Sequence, residues 1–227
     1  PWPTVCYTVR HMRTGLLLAL VSTTACTPDM LDPNDDVTTP SSVRERLEDR
    51  TRLLVSRDAS TGSITAEKKN GPDWETGTIA LPFENGEIEV SSDASDALTI
   101  ESIEIDFDDI ALPESLFAGR EASLTGVRLQ LSDSVRATAT WANDNDVAIV
   151  AELPFELHWA ITIGGSKTEL GSPKFPKVPV GLRLVGDGAH VDASLSAYVE
   201  GELWSWAGLI KLRELELGVE ASLAPPL

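Results

Sequence analysis

The most regular pattern in this sequence is an alternation of apolar and polar residues between positions 147 and 163. Every odd position is apolar, from Val147 through Phe155 and Trp159 to Ile163. A helix turns by about 100° per residue and would scatter these side chains, whereas a strand turns by about 180° and keeps them on one face. The pattern therefore predicts a strand that would span about 55 Å if it were straight. Pro154 has no N–H group to donate, so we expect a bend, a bulge or an edge there.

Two further long strands are predicted near the C-terminus. The odd positions are apolar from Val191 to Val199 and again from Leu215 to Leu223. The turn sequence Gly186-Asp187-Gly188 precedes the first of these strands. The phase of the pattern changes just before Leu215, which indicates a β-bulge near Arg213 and Glu214.

Shorter alternating runs are centred on Ile64, Ile105 and Leu129. Strands that each have one apolar and one charged face must curl around a shared apolar interior. The sequence thus predicts an all-β, mainly antiparallel domain in which long curved strands form an open barrel, a half-barrel or a sandwich. A membrane-spanning barrel also has alternating strands, but it carries girdles of aromatic residues. Aromatic residues make up only 6% of this chain, which disfavours that alternative.

Local signals predict one helix and one hairpin. Ser42 and Glu45 have the spacing of a capping box, and apolar residues recur at helical spacing from Val43, so we expect a short N-terminal helix over about residues 42–51. Leu53-Leu54-Val55 fits either the end of this helix or the first strand. Asn85-Gly86 lies between two short alternating runs and predicts a tight β-hairpin turn.

The N-terminal region has the pattern of a secretory signal. Met12-Arg13 is followed by an apolar run at 16–21 and by small residues up to Ala25, an arrangement typical of a signal peptide. The apolar run is far shorter than the roughly 18 residues that span a bilayer. We expect translation to begin at Met12, and we exclude the residues before it from fold reasoning.

Ala25-Cys26 resembles the lipobox of bacterial lipoproteins, although Thr23 stands where that family usually has Leu. The resemblance implies that Cys26 is lipidated and becomes the mature N-terminus. It also implies a lipid-anchored protein of the cell envelope, in the outer membrane or at the cell surface. An ordinary secreted protein and an unprocessed chain are the alternatives.

These signals divide the chain into three parts: an upstream extension and signal peptide over 1–25, a flexible acidic tether over 26–41, and a single β domain over 42–227. All 36 acidic residues follow Cys26, whereas Arg10 and Arg13 precede it, so the mature net charge is about −20. Such a charge repels phosphates, so nucleic acid is not an expected partner.

Candidate chemistry is sparse. His158 and His190 are expected to be ordinary surface residues, and no nucleophile elbow or phosphate loop is present in the sequence. Asp106 and Asp108 share one strand face and could meet at a cation or act as an acid/base pair. Asn143 to Asp146 resembles a calcium-binding loop but lacks the required Gly and distal Glu. We therefore predict no catalytic residues, no metal site and no cofactor, and favour a protein that is not an enzyme over a glycan hydrolase with paired carboxylates.

Aromatic residues provide the candidate binding positions. Tyr198, Trp204 and Trp206 are even-numbered in a strand whose odd face is apolar, so they point outward if the register holds past Gly201. Phe155 and Trp159 lie on the inward face of the longest strand. An apolar interior lined by such residues predicts a module that binds a hydrophobic ligand such as a lipid. The alternative is a surface lipoprotein with a packed core that acts as a structural or protein-interaction module, whose protein partner the sequence does not identify.

Overall fold

The computed structural model describes residues 40–70, 72–93, 97–112, 120–169, 172, 174–206 and 210–224. These residues form one short helix and a series of antiparallel strands. The helix is α1 (Val43–Glu48), and the strands are β1 (Thr51–Val55), β2 (Thr61–Asn70), β3 (Asp73–Ala80), β4 (Phe83–Ser92), β5 (Ala97–Phe107), β6 (Ile110–Leu112), β7 (Ala122–Leu131), β8 (Val135–Thr138), β9 (Thr140–Asn143), β10 (Asp146–Ile163), β11 (Ser166–Glu169), β12 (Lys174–Gly186), β13 (Val191–Trp206) and β14 (Ile210–Leu223).

The strands close into an antiparallel barrel. The hydrogen-bonded order runs β1-β4-β5-β7-β10-β12-β13-β14, and β14 pairs in turn with β1 through Leu53↔Leu223 and Val55↔Ala221. These eight strands are arranged in an up-and-down order, and each remaining strand pairs with one or two others. For example, β2 pairs with β3 and with the first half of β14. The predicted all-β class with long curved strands is confirmed, and the sheet closes on itself.

The interior of the barrel is apolar because the strands keep their two-residue period. On β10, the inward residues Val147, Ile149, Leu153, Phe155 and Leu157 are buried. The odd residues from Val191 to Ala197 on β13 and from Leu215 to Ala221 on β14 are buried in the same way. The outer face carries most of the charged residues. This polarity is opposite to that of a barrel that spans a bilayer, whose outer face is apolar.

Helix α1 covers one end of the barrel. Val43 and Leu47 are fully buried against the strands. The N–H of Arg44 donates to the carbonyl of Asp144 at 3.0 Å, and Nε of Arg46 donates to the carbonyl of Gly188 at 2.9 Å. Ser42 is the N-cap, as predicted, and its Oγ accepts from the N–H of Glu45 at 3.2 Å. Among the described residues, no helix is long and apolar enough to cross a membrane.

The helix ends earlier than the sequence predicted. Asp49 is extended, and the hydroxyl of Thr51 donates to the carbonyl of Arg46 at 2.8 Å, which terminates the helix. Leu53-Leu54-Val55 then belongs to β1, one of the two alternatives considered above. The bulge predicted near Arg213 and Glu214 is confirmed by a register shift between Leu212 and Glu214 on β14. At Pro154, where a bend, a bulge or an edge was expected, the register shifts between Leu153 and Phe155 on β10.

The predicted hairpin turn at Asn85-Gly86 is wrong. Both residues lie inside β4, which pairs with β5 through Asn85↔Asp106 and Gly86↔Ile105. Glycine is required here by crowding and not by a turn. A Cβ at position 86 would lie 2.9 Å from the carbonyl oxygen of Glu104 and 2.9 Å from Cγ2 of Val55.

Candidate functional site

The barrel interior was the first candidate site, and its aromatic residues are part of the core. Phe155 is 2% exposed and Trp159 is 4% exposed, both on the inward face of β10. Phe83 and Phe107 belong to the same core, and their ring centroids are 5.0 Å apart. The structure therefore places Phe155 and Trp159 where the sequence predicted, among side chains that fill the barrel.

One small cavity lies inside this core. Its volume is about 20 Å³, and its lining is entirely apolar: Ile64, Leu81, Phe107, Val127, Leu129, Leu157, Phe175, Leu215 and Leu217. A space of this size corresponds to about one water molecule. Pockets that enclose small organic ligands usually measure about 300–1,000 Å³. The cavity has the polarity that a lipid chain requires, but it is far smaller than such a chain.

The second candidate site is a groove on the outer face of β10, β12, β13 and β14. Its floor is a row of cross-strand neighbours, in which Val150 pairs with Gly181, Gly181 with Ser196 and Ser196 with Gly218. The side chains in this row are small, so it forms the bottom of the groove, and Pro179 and Tyr198 lie beside it. The groove encloses about 370 Å³. We call it the Tyr198 groove.

The Tyr198 groove exposes apolar surface to solvent. Val150 is 83% exposed and Tyr198 is 49% exposed, both on outward-facing positions. The outward orientation predicted for Tyr198 is confirmed. Exposed clusters of apolar residues on a soluble surface commonly mark interaction sites.

Carboxylates surround this groove. Glu216 pairs across the sheet with Tyr198, and Glu220 pairs with Ser194, so the two acids lie on either side of Gly218 along β14. Both are exposed, and neither is within ion-pair distance of a Lys or Arg in the part of the chain that the structure describes. The two neighbouring cations are already engaged: Arg183 binds Asp146 at 2.7 Å, and Lys177 lies 3.6 Å from Glu152.

The opposite flank of the barrel has a different electrostatic character. There Arg52 binds Glu87 at 2.5 Å, and Arg128 binds both Glu104 and Asp106 at 2.6 Å. Arg52 donates a hydrogen bond to the carboxylate of Glu87, and Arg128 donates to that of Asp106, which raises the pKa of both arginines. On this flank positive and negative charges are interleaved and balanced locally, unlike the rim of the Tyr198 groove.

Trp204, Trp206 and Cys26 are the remaining residues predicted from the sequence. Trp204 and Trp206 lie on β13, and only their backbone is described. The outward orientation expected for them depended on an unbroken register past Gly201. The pairing of β13 with β14 shifts between Glu200 and Trp204, and the outward orientation of the two tryptophans stays a prediction. Cys26 lies outside the described residues.

The candidate chemical groups are distributed among separate contacts. Asp106 binds Arg128, whereas Asp108 binds Arg57 at 2.5 Å, so the two aspartates do not converge. Asn143 to Asp146 form the hairpin turn between β9 and β10. Its oxygens are used by the protein: Asn145 Oδ1 accepts from the N–H of Val43 at 3.1 Å, and Asn143 Oδ1 accepts from the N–H of Asn145 at 2.8 Å.

Sequence reasoning missed most of the Tyr198 groove. One signal was available, because Val150 is an apolar residue at an even position of a strand whose even face is outward. Gly181, Ser196 and Gly218 give no such signal individually. They become a groove only when the strand order and register place them side by side.

Comparisons with known proteins add little to this geometry. No family model matches the chain, and no curated protein matches it significantly. Among solved structures, the chain is similar to Ail, the attachment invasion locus protein of Yersinia pestis. The two share 10% identity with a TM-score of 0.37, and the match covers 76% of this chain and 98% of Ail. A similarity at this level does not bear on what the present barrel binds or where it resides.

Proposed function

We propose that the protein is a lipoprotein of the bacterial cell envelope whose barrel acts as an interaction module through its outer surface. The observation that carries this proposal is the packing of the interior. Among the described residues, the interior contains a cavity of about 20 Å³, which has no room for a lipid, whereas the outer face offers an exposed groove of about 370 Å³. The barrel wall then serves as a rigid scaffold that holds side chains from distant parts of the sequence in fixed register.

The proposed location is supported by the signal-like sequence that ends at Ala25-Cys26. Replacing the cysteine tests it directly. In a bacterial host, the protein should fractionate with membranes and incorporate labelled palmitate, and Cys26→Ser should abolish both. Release of the Cys26→Ser protein from the membrane with unchanged labelling would place the lipid elsewhere, and no labelling of either protein would refute the lipid anchor.

A second candidate function is the binding of a hydrophobic ligand inside the barrel. The specific observation in its favour is that the internal cavity has only apolar walls. A lipid chain would require the side chains around Leu157 and Phe175 to move apart, because the cavity is smaller than the roughly 300 Å³ of the smallest usual ligand pockets.

Native mass spectrometry of the purified protein distinguishes these two functions. If the barrel is an interaction module, we expect the protein to have the same mass under native and denaturing conditions, because it carries no non-covalent ligand. A reproducible mass surplus that disappears on denaturation would instead establish an internal ligand. Substituting Leu157→Trp would then reduce that surplus by filling the cavity, whereas Val150→Trp on the outer face would not.

A further inference from the structure

The Tyr198 groove has a chemistry that selects among partners. We propose that it binds an extended, basic segment of a partner protein, with apolar side chains of that segment over Val150, Pro179 and Tyr198, and a Lys or Arg side chain between Glu216 and Glu220. This inference rests on the proposed role of the outer surface as an interaction site.

The shape of the groove fits an extended chain. Its floor crosses four adjacent strands from Val150 to Gly218, which spans about 14 Å at the usual strand spacing. Four or five residues of extended polypeptide cover that distance at about 3.3 Å per residue. Small residues line the floor, so the partner backbone can approach the sheet closely. A Cβ at Gly181 would lie 3.2 Å from Oγ of Ser196, and a Cβ at Gly218 would lie 3.1 Å from Oγ1 of Thr61.

The two ends of the groove differ in polarity. At the β10 and β12 end, Val150 and Pro179 are exposed and Tyr198 stands next to them. At the β14 end, Glu216 and Glu220 flank the floor. A partner segment that carries apolar residues toward one end and a cation toward the other matches this arrangement.

The charge of the groove excludes other occupants. The chain has a formal net charge of −18, and near this surface Glu216, Glu220 and Asp192 add carboxylates that form no ion pair with a Lys or Arg among the described residues. Anionic lipid headgroups and anionic glycans are repelled by such a surface. A second copy of the chain docking face to face through a two-fold axis would bring the same carboxylates together, which like-charge repulsion opposes.

Model peptides test the proposal. The probe is a decapeptide of five Val residues followed by five Lys residues (the Lys-Val peptide), and the comparison is a decapeptide of five Ser residues followed by five Lys residues (the Lys-Ser peptide), which has the same charge. Binding to the full-length protein is measured by fluorescence anisotropy at low and physiological salt. The Lys-Val peptide should bind saturably and at least about tenfold more tightly than the Lys-Ser peptide, because only it can cover Val150 and Tyr198.

Variants locate the binding site. Val150→Ser with Tyr198→Ser should weaken binding of the Lys-Val peptide by about tenfold or more. Glu216→Gln with Glu220→Gln should weaken it by about fivefold at low salt. The matched control is Glu87→Gln with Glu104→Gln, which changes the net charge equally on the opposite flank and should leave affinity within about twofold. Circular dichroism establishes that each variant is folded.

Several results would overturn the proposal. Equal affinity for the two peptides would mean that only charge is recognised, and equal losses in the two Gln pairs would mean that binding is not confined to the groove. Absence of saturable binding would reject a basic extended partner. A dimer in sedimentation analysis that Tyr198→Ser disrupts would identify a second copy as the occupant. All of these results are independent of native mass spectrometry, which tests separately whether the interior holds a ligand.

Discussion

At the scale of single residues, crowding at Gly86 is the clearest case of a side chain being excluded. A Cβ there would lie 2.9 Å from a backbone carbonyl oxygen of β5, which cannot move without disturbing the sheet. We expect Gly86→Ala to reduce the free energy of unfolding by about 1–3 kcal/mol, as is usual for overpacking. Urea denaturation measures this change.

Gly77 provides the matched control for that substitution. It also lies within a strand, and a Cβ at position 77 would have no neighbour within 4 Å. Gly77→Ala should therefore leave stability within about 0.5 kcal/mol of the parent protein or raise it slightly. Equal losses of stability in Gly77→Ala and Gly86→Ala would show that strand propensity, and not crowding, accounts for the effect of replacing these glycines.

Asp146 links stability to pH. Hydrogen bonds from the guanidinium of Arg183, at 2.9 and 2.7 Å, hold the pKa of Asp146 below its ordinary value. A lowered folded-state pKa contributes stability above the unfolded-state pKa of about 3.9, and that contribution is lost as pH falls through the folded-state pKa. Asp146→Asn should thus be less stable than the parent at pH 7, and the difference should shrink below about pH 4.

The measurement is the urea midpoint as a function of pH. In an Arg183→Gln background, Asp146→Asn should no longer produce this pH-dependent difference, because the interaction that lowers the pKa is absent. If the difference in urea midpoint between the parent and Asp146→Asn proteins stays constant from pH 7 to pH 3, the pKa of Asp146 is not lowered by Arg183.

At the scale of secondary structure elements, α1 depends on its N-cap. The Ser42 hydroxyl accepts from the N–H of Glu45, and Ser42 is nearly buried at the end of the barrel. Ser42→Ala should cost about 1 kcal/mol of stability, as is typical of lost N-caps. Ser41 is the control, because its hydroxyl donates to the exposed carboxylate of Glu45 at 2.8 Å. Ser41→Ala should lower the free energy of unfolding by only a few tenths of a kcal/mol, about the value of an exposed hydrogen bond. Equal effects of the two substitutions in thermal unfolding would contradict this role.

The alternation of β10 makes a second prediction for an element. Leu153 is fully buried, whereas Val150 on the same strand is 83% exposed. Leu153→Ala should lower the free energy of unfolding by about 2–5 kcal/mol. Val150→Ala should change it by less than about 0.5 kcal/mol, because no core contact is lost. A large loss at Val150 would mean that the strand faces are assigned the wrong way round.

Elements with a strong period were predictable, whereas isolated turn signals were not. The long strands β10, β13 and β14 follow directly from apolar odd positions, and the bulge near Arg213 follows from a phase change. Asn85-Gly86 looked like a turn because both residues favour turns locally. In the barrel, the neighbouring strands β1 and β5 determine its conformation, and glycine serves close approach.

At the scale of the whole molecule, the candidate site shows why function was harder to predict than fold. Val150, Gly181, Ser196 and Gly218 come from four strands and become neighbours only through barrel closure and register. Tyr198 was proposed in advance and Val150 could have been, since the orientation of each depends on the period of a single strand. The filling of the interior was equally out of reach, because it depends on how side chains from all eight strands interdigitate.

Net charge acts on the entire barrel and gives the last prediction. The chain carries 36 acidic and 18 basic residues. Ion-paired atoms lie within 4 Å of each other, well inside a Debye length at any ordinary salt concentration, so their attraction is screened little. Repulsion between unpaired carboxylates acts over longer distances. Raising salt from about 10 to 150 mM shortens the Debye length from about 30 to 8 Å and removes most of that repulsion.

The free energy of unfolding should therefore increase with NaCl over this range, since a large net charge destabilises the compact state. Urea denaturation at the two salt concentrations measures the change. Glu216→Gln with Glu220→Gln removes two unpaired charges and should make the protein less sensitive to salt than Glu87→Gln with Glu104→Gln, which removes charges that Arg52 and Arg128 balance. A decrease in stability with salt would mean that short-range ion pairs outweigh the long-range repulsion.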